Sequence, residues 1–257
     1  MVDPRQILSP FPQYQGLQDV ASSRGDSTYH ALQLKAEKRF GAGGTVLGSY
    51  TFSKILSDVE SITPFLDSIN GGVAGIQNAF DLRSEKSLSS ADARRRLVVS
   101  YVYDLPFGKG KHFASNVSGV ADKVISGWGI NGVTTFQAGY PLNITAAVNV
   151  TGFNTGLRPN VAAGCQKKID GSAQSRLLGW FNTSCFSQPA AFIFGTESRT
   201  DPNLRGPGIA NYDLALFKRT AITERSNLEF RVESFNLFNR VQFGPPNTAF
   251  TTAAGSI

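Results

Sequence analysis

Few residues in this chain have the type and spacing that chemistry needs. The only histidines are His30 and His112, far apart and without a cysteine or carboxylate at metal-ligand spacing, so no zinc site is expected. Gly108-Lys109-Gly110-Lys111 resembles part of a phosphate loop. However, Leu105 stands where the upstream glycine is required, and His112 follows where Ser or Thr is needed. Asp58, Glu60 and Asp67 carry oxygen ligands suited to Ca²⁺ but lack the spacing and glycine of a calcium loop, and they read as a solvated segment. No Gly-x-Ser-x-Gly elbow occurs, and two histidines leave little for an acid-base triad. Asn143-Ile144-Thr145 and Asn182-Thr183-Ser184 match glycosylation acceptors, a short motif that arises often by chance. The expectation is a protein that is not an enzyme and uses no cofactor or metal.

The remaining reactive pair is Cys165 and Cys185, set in a Gly/Asn/Ser-rich segment. A loop disulfide in an oxidising compartment is favoured over free thiols, and closing a loop of that length contributes about 3 kcal/mol in the chain-entropy model. The formal net charge of +6 comes from basic residues scattered among acidic ones, apart from Arg94-Arg95-Arg96. That run reads as the start of a strand facing a lumen or headgroups rather than a track for phosphates, and no nucleic-acid partner is expected. The beginning, Met1-Val2-Asp3-Pro4-Arg5-Gln6, shows no basic segment followed by an apolar one, so a protein bound for an oxidising compartment is expected to be part of a longer chain.

The elements that would position these residues are strands. The chain is 41% hydrophobic and 17% charged, with 26 Gly, 19 Phe, 7 Tyr and a single Met, which enriches strand and turn formers over helix formers. Mean hydropathy is -0.13, and no run approaches the roughly 18 apolar residues of a membrane helix, so any span must be β. Period-two alternation predicts six strands: Tyr29 to Phe40, Thr45 to Ile55, Arg94 to Leu105, Trp128 to about Ile144, Asn211 to Arg219 and Asn227 to Asn239. Gly41-Ala42-Gly43-Gly44 supplies the positive φ of a tight hairpin between the first two. Leu47, Val98 and Val102 break the alternation, and Gly139-Tyr140-Pro141 is expected to bend the fourth strand.

Connection lengths give the strands a direction. The first and last pairs are joined by short turns, whereas Leu56 to Ala93 and Thr145 to Ala210 are long polar excursions, the asymmetry of an outer-membrane barrel. Leu105 to Gly127 is long for a periplasmic turn. The fold class is therefore all-β: an antiparallel transmembrane β-barrel segment of about six to eight strands, a partial barrel wall with long outer loops. Leu32, Leu34, Val99, Tyr101, Tyr103, Trp128, Leu214, Leu216, Phe230 and Val232 are the candidate lipid-facing residues. Lys35, Glu37, Arg39, Arg96, Asp213, Glu229, Arg231 and Glu233 are the candidate lumen-facing ones. Phe40, Tyr103 and Trp128 fall at the short-turn ends, and Tyr50, Phe52, Phe136 and Tyr212 toward the loop ends, as two aromatic girdles would.

Longer word strings carry a family resemblance. Tyr29-His30-Ala31-Leu32-Gln33-Leu34-Lys35-Ala36-Glu37-Lys38-Arg39-Phe40, Gly48-Ser49-Tyr50-Thr51-Phe52-Ser53-Lys54 and Tyr103-Asp104-Leu105-Pro106-Phe107-Gly108-Lys109-Gly110-Lys111 resemble the barrel region of Oar-like TonB-dependent receptors. So do Gly127-Trp128-Gly129-Ile130-Asn131-Gly132, Leu204-Arg205-Gly206-Pro207-Gly208 and Phe230-Arg231-Val232-Glu233-Ser234-Phe235-Asn236-Leu237-Phe238-Asn239. The resemblance divides the chain into an irregular segment 1–28, a barrel segment 29–247 and a tail 248–257. It implies a longer parent in the outer membrane of a Gram-negative-type bacterium, with a plug and a closing strand outside this chain. Its implied partners are outer-membrane lipid, the remaining barrel and plug, TonB through the plug, and a transported ligand of unknown identity. The alternative carried from the residues themselves is a secreted or surface β-sandwich binding or adhesion module, in which the same apolar residues would fill a core.

Overall fold

The computed structural model describes residues 11, 13, 24–41, 43–59, 75–78, 80–147, 157–223, 225–250 and 254–256. Most of the segment 1–28 and residues Glu60 and Asp67 lie outside the described residues. Six long strands form one antiparallel sheet: β1 Ser27–Arg39, β2 Gly44–Ser57, β4 Arg95–Asp104, β5 Trp128–Gln137, β8 Ile209–Thr223 and β9 Ser226–Ser234. They pair in the order β1-β2-β4-β5-β8-β9, with the short β3 Ser87–Leu88 on the end of β2. Successive long strands are thus neighbours, as up-and-down walls require. Two short strands, β6 Asn160–Val161 and β7 Phe186–Ser187, pair separately in the second long loop.

The hairpins follow local chemistry. Between β1 and β2 the chain reverses at Phe40, whose N–H donates to the Gly44 carbonyl at 2.9 Å, while the Gly43 N–H donates back to the Phe40 carbonyl at 3.1 Å. Gly43 has φ 93°, a conformation that favours glycine, and a Cβ there would also displace the Asp104 carboxylate, 2.7 Å away. Strands β8 and β9 run further toward each other than the alternation suggested, with Thr223 opposite Ser226. The expected six-residue turn shrinks because Thr220 and Leu228 continue the ladder.

Two strands stop earlier than expected. β5 ends at Gln137, not near Ile144, because Gly139 crosses the chain at Gly206, where a Cβ would meet the Gly206 carbonyl oxygen at 1.8 Å. β9 ends at Ser234, not Asn239: Asn236 and Asn239 adopt φ 49° and 48°, and Asn236 holds a turn by accepting the Arg240 N–H at 2.9 Å. The connection from β4 to β5 contains the helix α1 Gly119–Ile125, which alternation did not predict. Seven residues are too short for a clear 3.6-residue period, and the helix is fixed from outside: Trp128 Nε1 donates to the Val124 carbonyl at 2.8 Å, and Ser126 Oγ bonds the Asp122 carboxylate. That bond, with the Lys109 N–H and the charge of Lys109, holds the Asp122 carboxyl below its ordinary value.

The long connections are not simply polar excursions. Leu142, Ile144, Trp180, Phe181, Phe186, Leu204 and Ala254 bury one another in a compact cap at the loop end of the sheet. Cys165 and Cys185 are disulfide-bonded in this cap, with Cα atoms 5.6 Å apart. Phe250 and Gly255 take part as well, since the Trp180 backbone N–H donates to the Gly255 carbonyl at 2.8 Å and the Phe250 N–H to that of Thr145 at 2.8 Å. Burying Phe181 fully contributes about 1.5–3 kcal/mol of hydrophobic stabilisation, so this cap is a core in its own right.

Candidate functional site

In an antiparallel pair, directly opposed residues share a face, so register sorts every side chain. One row runs Leu34, Tyr50, Leu97, Phe136, Ala210; the next, Gly48, Val99, Thr134, Tyr212. Two further rows are Tyr101, Gly132, Leu214 and Tyr103, Ile130, Leu216, Val232, while Trp128 opposes Lys218 and Lys218 opposes Phe230. Leu32 opposes Phe52 on the same side. All ten candidate lipid-facing residues therefore lie on one face.

That face is uncovered. Leu32 and Leu34 are each 55% exposed, Phe230 59% and Val232 52%, and in the six long strands the buried side chains Ser53, Ser57, Ala215 and Phe217 belong to the opposite face. Among the described residues no second layer lies on it. A β-sandwich would bury this surface, so that alternative is not the arrangement found. The aromatic residues mark its two ends. Phe40 meets Tyr103 edge-on at 6.1 Å at the turn end, where Lys218 Nζ lies 5.8 Å from the Trp128 ring. At the loop end Tyr212 packs edge-on to Phe136 at 5.5 Å and to Phe238 at 5.0 Å. From Tyr103 to Arg95 is about 26 Å along the strand at roughly 3.3 Å per residue. A tilt of about 40° projects this to about 20 Å, close to the height of an outer-membrane apolar band.

The other face carries the charge. Lys35, Glu37 and Arg39 oppose Ser49, Leu47 and Thr45, and Arg96 lies between Thr51 and Gln137. Asp213 opposes Val133, and Glu233 and Arg231 oppose Ala215 and Phe217. Arg219 bonds Glu229 across the strands at 2.8 Å, and Arg231 spans Glu229 at 2.7 Å and Glu233 at 3.4 Å along its own strand. Such exposed pairs are worth about 0–1 kcal/mol each, so they tune a wet surface rather than hold the sheet. Glu37, Asp104, Asp213, Glu229 and Glu233, the carboxylates of the six long strands, all stand on this side.

Two of the three residues that broke the alternation share one place. Leu47 and Val102 meet Val133, Ala215 and Phe235 around a groove of about 440 Å³ on the charged face, with Glu233 at its rim. Phe217, 1% exposed, lies over Gly129, where a Cβ would come within 2.2 Å of its ring, and the Arg219 guanidinium sits 4.5 Å above it. This face is thus mixed rather than uniformly polar.

Polar contacts that the sequence did not reveal hold the long connections, and two of them are ion pairs from one connection to the other. Arg158 grips Glu85 by donating from Nη1 at 2.5 Å and from Nη2 at 3.2 Å, and Arg205 meets Asp92 at 2.5 Å. Arg199 Nη2 donates to the Ser57 carbonyl at 2.6 Å, while Lys167 bonds Asp201 and, at 3.2 Å, Glu197. Burial opposes the Lys167 charge, but the bonds to Asp201 and Glu197 outweigh it and raise its pKa above the ordinary value. Partners separated by 73 or 113 residues leave no local spacing to detect.

Asp58, weighed above as an oxygen ligand, accepts the Asp26 N–H at 2.6 Å, and no group of metal-binding residues occurs among the described residues. The amides of Gly108 and Lys109 are occupied by the Phe113 carbonyl and Ser126 Oγ, leaving no phosphate cradle.

An uncovered apolar face of membrane height, with the carboxylates behind it and its own Lys and Arg residues near its two ends, is the pattern of a barrel wall. A family model for the outer membrane beta barrel domain matches residues 2–257. The chain belongs to this family. No match was found among curated proteins or among solved structures. As an outer membrane beta barrel domain, the protein is placed in the outer membrane, and its sheet of six long strands and the short β3 is a segment of barrel.

Proposed function

We propose that this barrel domain is part of the wall of a TonB-dependent receptor of the Oar-like type, in which the apolar face meets lipid and the charged face lines the lumen. The observation that carries the reading is the segregation itself: the long strands place their carboxylates on one face and leave the other apolar and bare. Charge facing hydrocarbon costs several kilocalories per mole, whereas charge facing a wet lumen costs little. Among the described residues the sheet order ends at β1 and β9; in the receptor these edges pair with further strands, and in vesicles of the chain alone with neighbouring copies, since an unpaired edge cannot stand in hydrocarbon.

The disulfide-closed, ion-paired cap supports a role in ligand capture at the outer mouth, because a rigid loop layer presents a surface without paying ordering entropy on binding. Coupling to TonB, and release of the ligand inward, fall to a plug. The proposed role is transport rather than catalysis and requires no cofactor.

Spin-label accessibility tests the two faces. Single cysteines placed along β4 from Leu97 to Tyr103, in the chain reconstituted into vesicles, should alternate between high oxygen and high nickel-chelate accessibility with period two. Uniform accessibility along that strand would refute the wall reading.

A further inference from the structure

We infer that the loop-end rim of the apolar face binds the phosphate of a membrane-lipid headgroup through Lys54, Arg94 and Arg95. The inference rests on that face meeting lipid and adds a partner at one place on it. The strand carboxylates stand on the opposite face, and the Lys and Arg side chains of the apolar face sit near its ends: Lys38 and Lys218 toward the turns, Lys54 and Arg95 toward the loops. Arg95 opposes Phe52, Lys54 follows two residues along the same strand face, and the Arg94 guanidinium lies 5.7 Å from the Phe52 ring. One cation therefore lies against the Phe52 ring, with Arg95 beside Phe52 on the neighbouring strand and Lys54 two residues along. The arginine run is divided by the fold, with Arg96 turned to the charged face and Arg95 to the apolar one.

A groove of about 380 Å³ opens at this spot, lined in part by Phe52, Lys54, Leu56, Leu88, Arg94 and Arg205. Its carboxylate, Asp92, is taken by Arg205 at 2.5 Å, and its lysine Lys86 is taken by Asp26 at 3.1 Å. Lys54, Arg94 and Arg95 have no carboxylate partner among the described residues. The groove thus holds excess positive charge beside an apolar wall, which matches an anionic headgroup with its acyl chains below.

The height also fits. Arg95 lies about 13 Å along the strand from Val99, or about 10 Å of depth at the usual tilt. A guanidinium reaching outward adds about 6 Å, which brings it beyond the half-thickness of the apolar band to the level of phosphates.

The test uses the whole chain in phosphatidylcholine vesicles carrying a trace of spin-labelled phosphatidic acid or spin-labelled phosphatidylcholine, with the motionally restricted fraction read by electron paramagnetic resonance. Phosphatidic acid should be preferred about fivefold or more. Lys54→Gln/Arg94→Gln/Arg95→Gln should bring the preference close to unity while circular dichroism shows the strands intact, and Lys38→Gln should leave it unchanged. Equal preference in the triple variant and the parent would overturn the inference, as would equal loss in Lys38→Gln. Loss of the preference in excess inorganic phosphate would also overturn it, by identifying a free-phosphate site. If neither lipid is restricted, the wall reading itself fails; if both are restricted equally, only the headgroup site fails.

Discussion

Placing a charge at the centre of the apolar face separates a membrane wall from a wet sheet. Val99 is the position of choice, because it lies four residues from Tyr103 and four from Arg95, with Gly48 on one side and Thr134 on the other. It stands about 13 Å along the strand from either rim, too far for a long side chain to reach the headgroups easily. Arginine at such a depth costs roughly 2–4 kcal/mol, or about 30- to 700-fold in the folding equilibrium. Ser100, the next residue, turns to the charged face between Leu47 and Val133, beside the 440 Å³ groove. Arginine there should cost no more than about 1 kcal/mol, since the groove gives it room and water. The assay is urea unfolding of the two variants in phosphatidylcholine vesicles, followed by the fluorescence of Trp128 and Trp180. A difference between Val99→Arg and Ser100→Arg of less than about 0.5 kcal/mol, or a larger cost at Ser100, would refute the assignment of faces, because both results require the same surroundings on the two sides.

Three further outcomes concern the cap. Glu85→Gln leaves Arg158 buried without its carboxylate and should destabilise the cap by about 3–5 kcal/mol, while a double-mutant cycle with Arg158→Met should recover much of that loss; additive losses would contradict the pairing. Reducing the Cys165–Cys185 bond, or replacing both cysteines with serine, should weaken the cap by about 3 kcal/mol and open residues 157–206 to proteolysis with the strand circular dichroism retained; equal protease resistance would show the bond idle. Because its pairing raises the Lys167 pKa in the folded state, the stabilisation is fully present below the ordinary value of 10.5 and is shed as pH climbs through the folded value. Trp180 fluorescence should report that alkaline loosening in the parent and a smaller one in Lys167→Met, and identical alkaline profiles would count against the linkage.

Much of the sheet was legible because its signals are local. Alternation of period two needs only neighbouring residues, so Leu32 and Leu34 or Glu229 and Arg231 declare their faces wherever the strand pairs, and Gly43 marks its turn by the φ that only glycine takes easily. The order of strands follows from adjacency in sequence, and the aromatic residues at both ends of the strands could be placed by counting along them. Those are the features that the amino-acid sequence determined by itself.

What only the tertiary structure decided is what depends on distant segments meeting. Leu47 and Val102 read as lapses in the pattern until Val133, Ala215 and Phe235 came alongside to form a groove. β5 stops because Gly139 crosses Gly206, a contact that no local propensity encodes. The cap looked like solvated loop because its charged residues have no periodicity, and each carboxylate becomes tolerable in the interior only when an arginine or lysine from far along the chain arrives to neutralise it, as Arg158 does for Glu85 and Arg205 for Asp92. The physical reason is range: steric and periodic constraints act between neighbours, whereas desolvation and ion pairing are settled only once the chain has closed on itself.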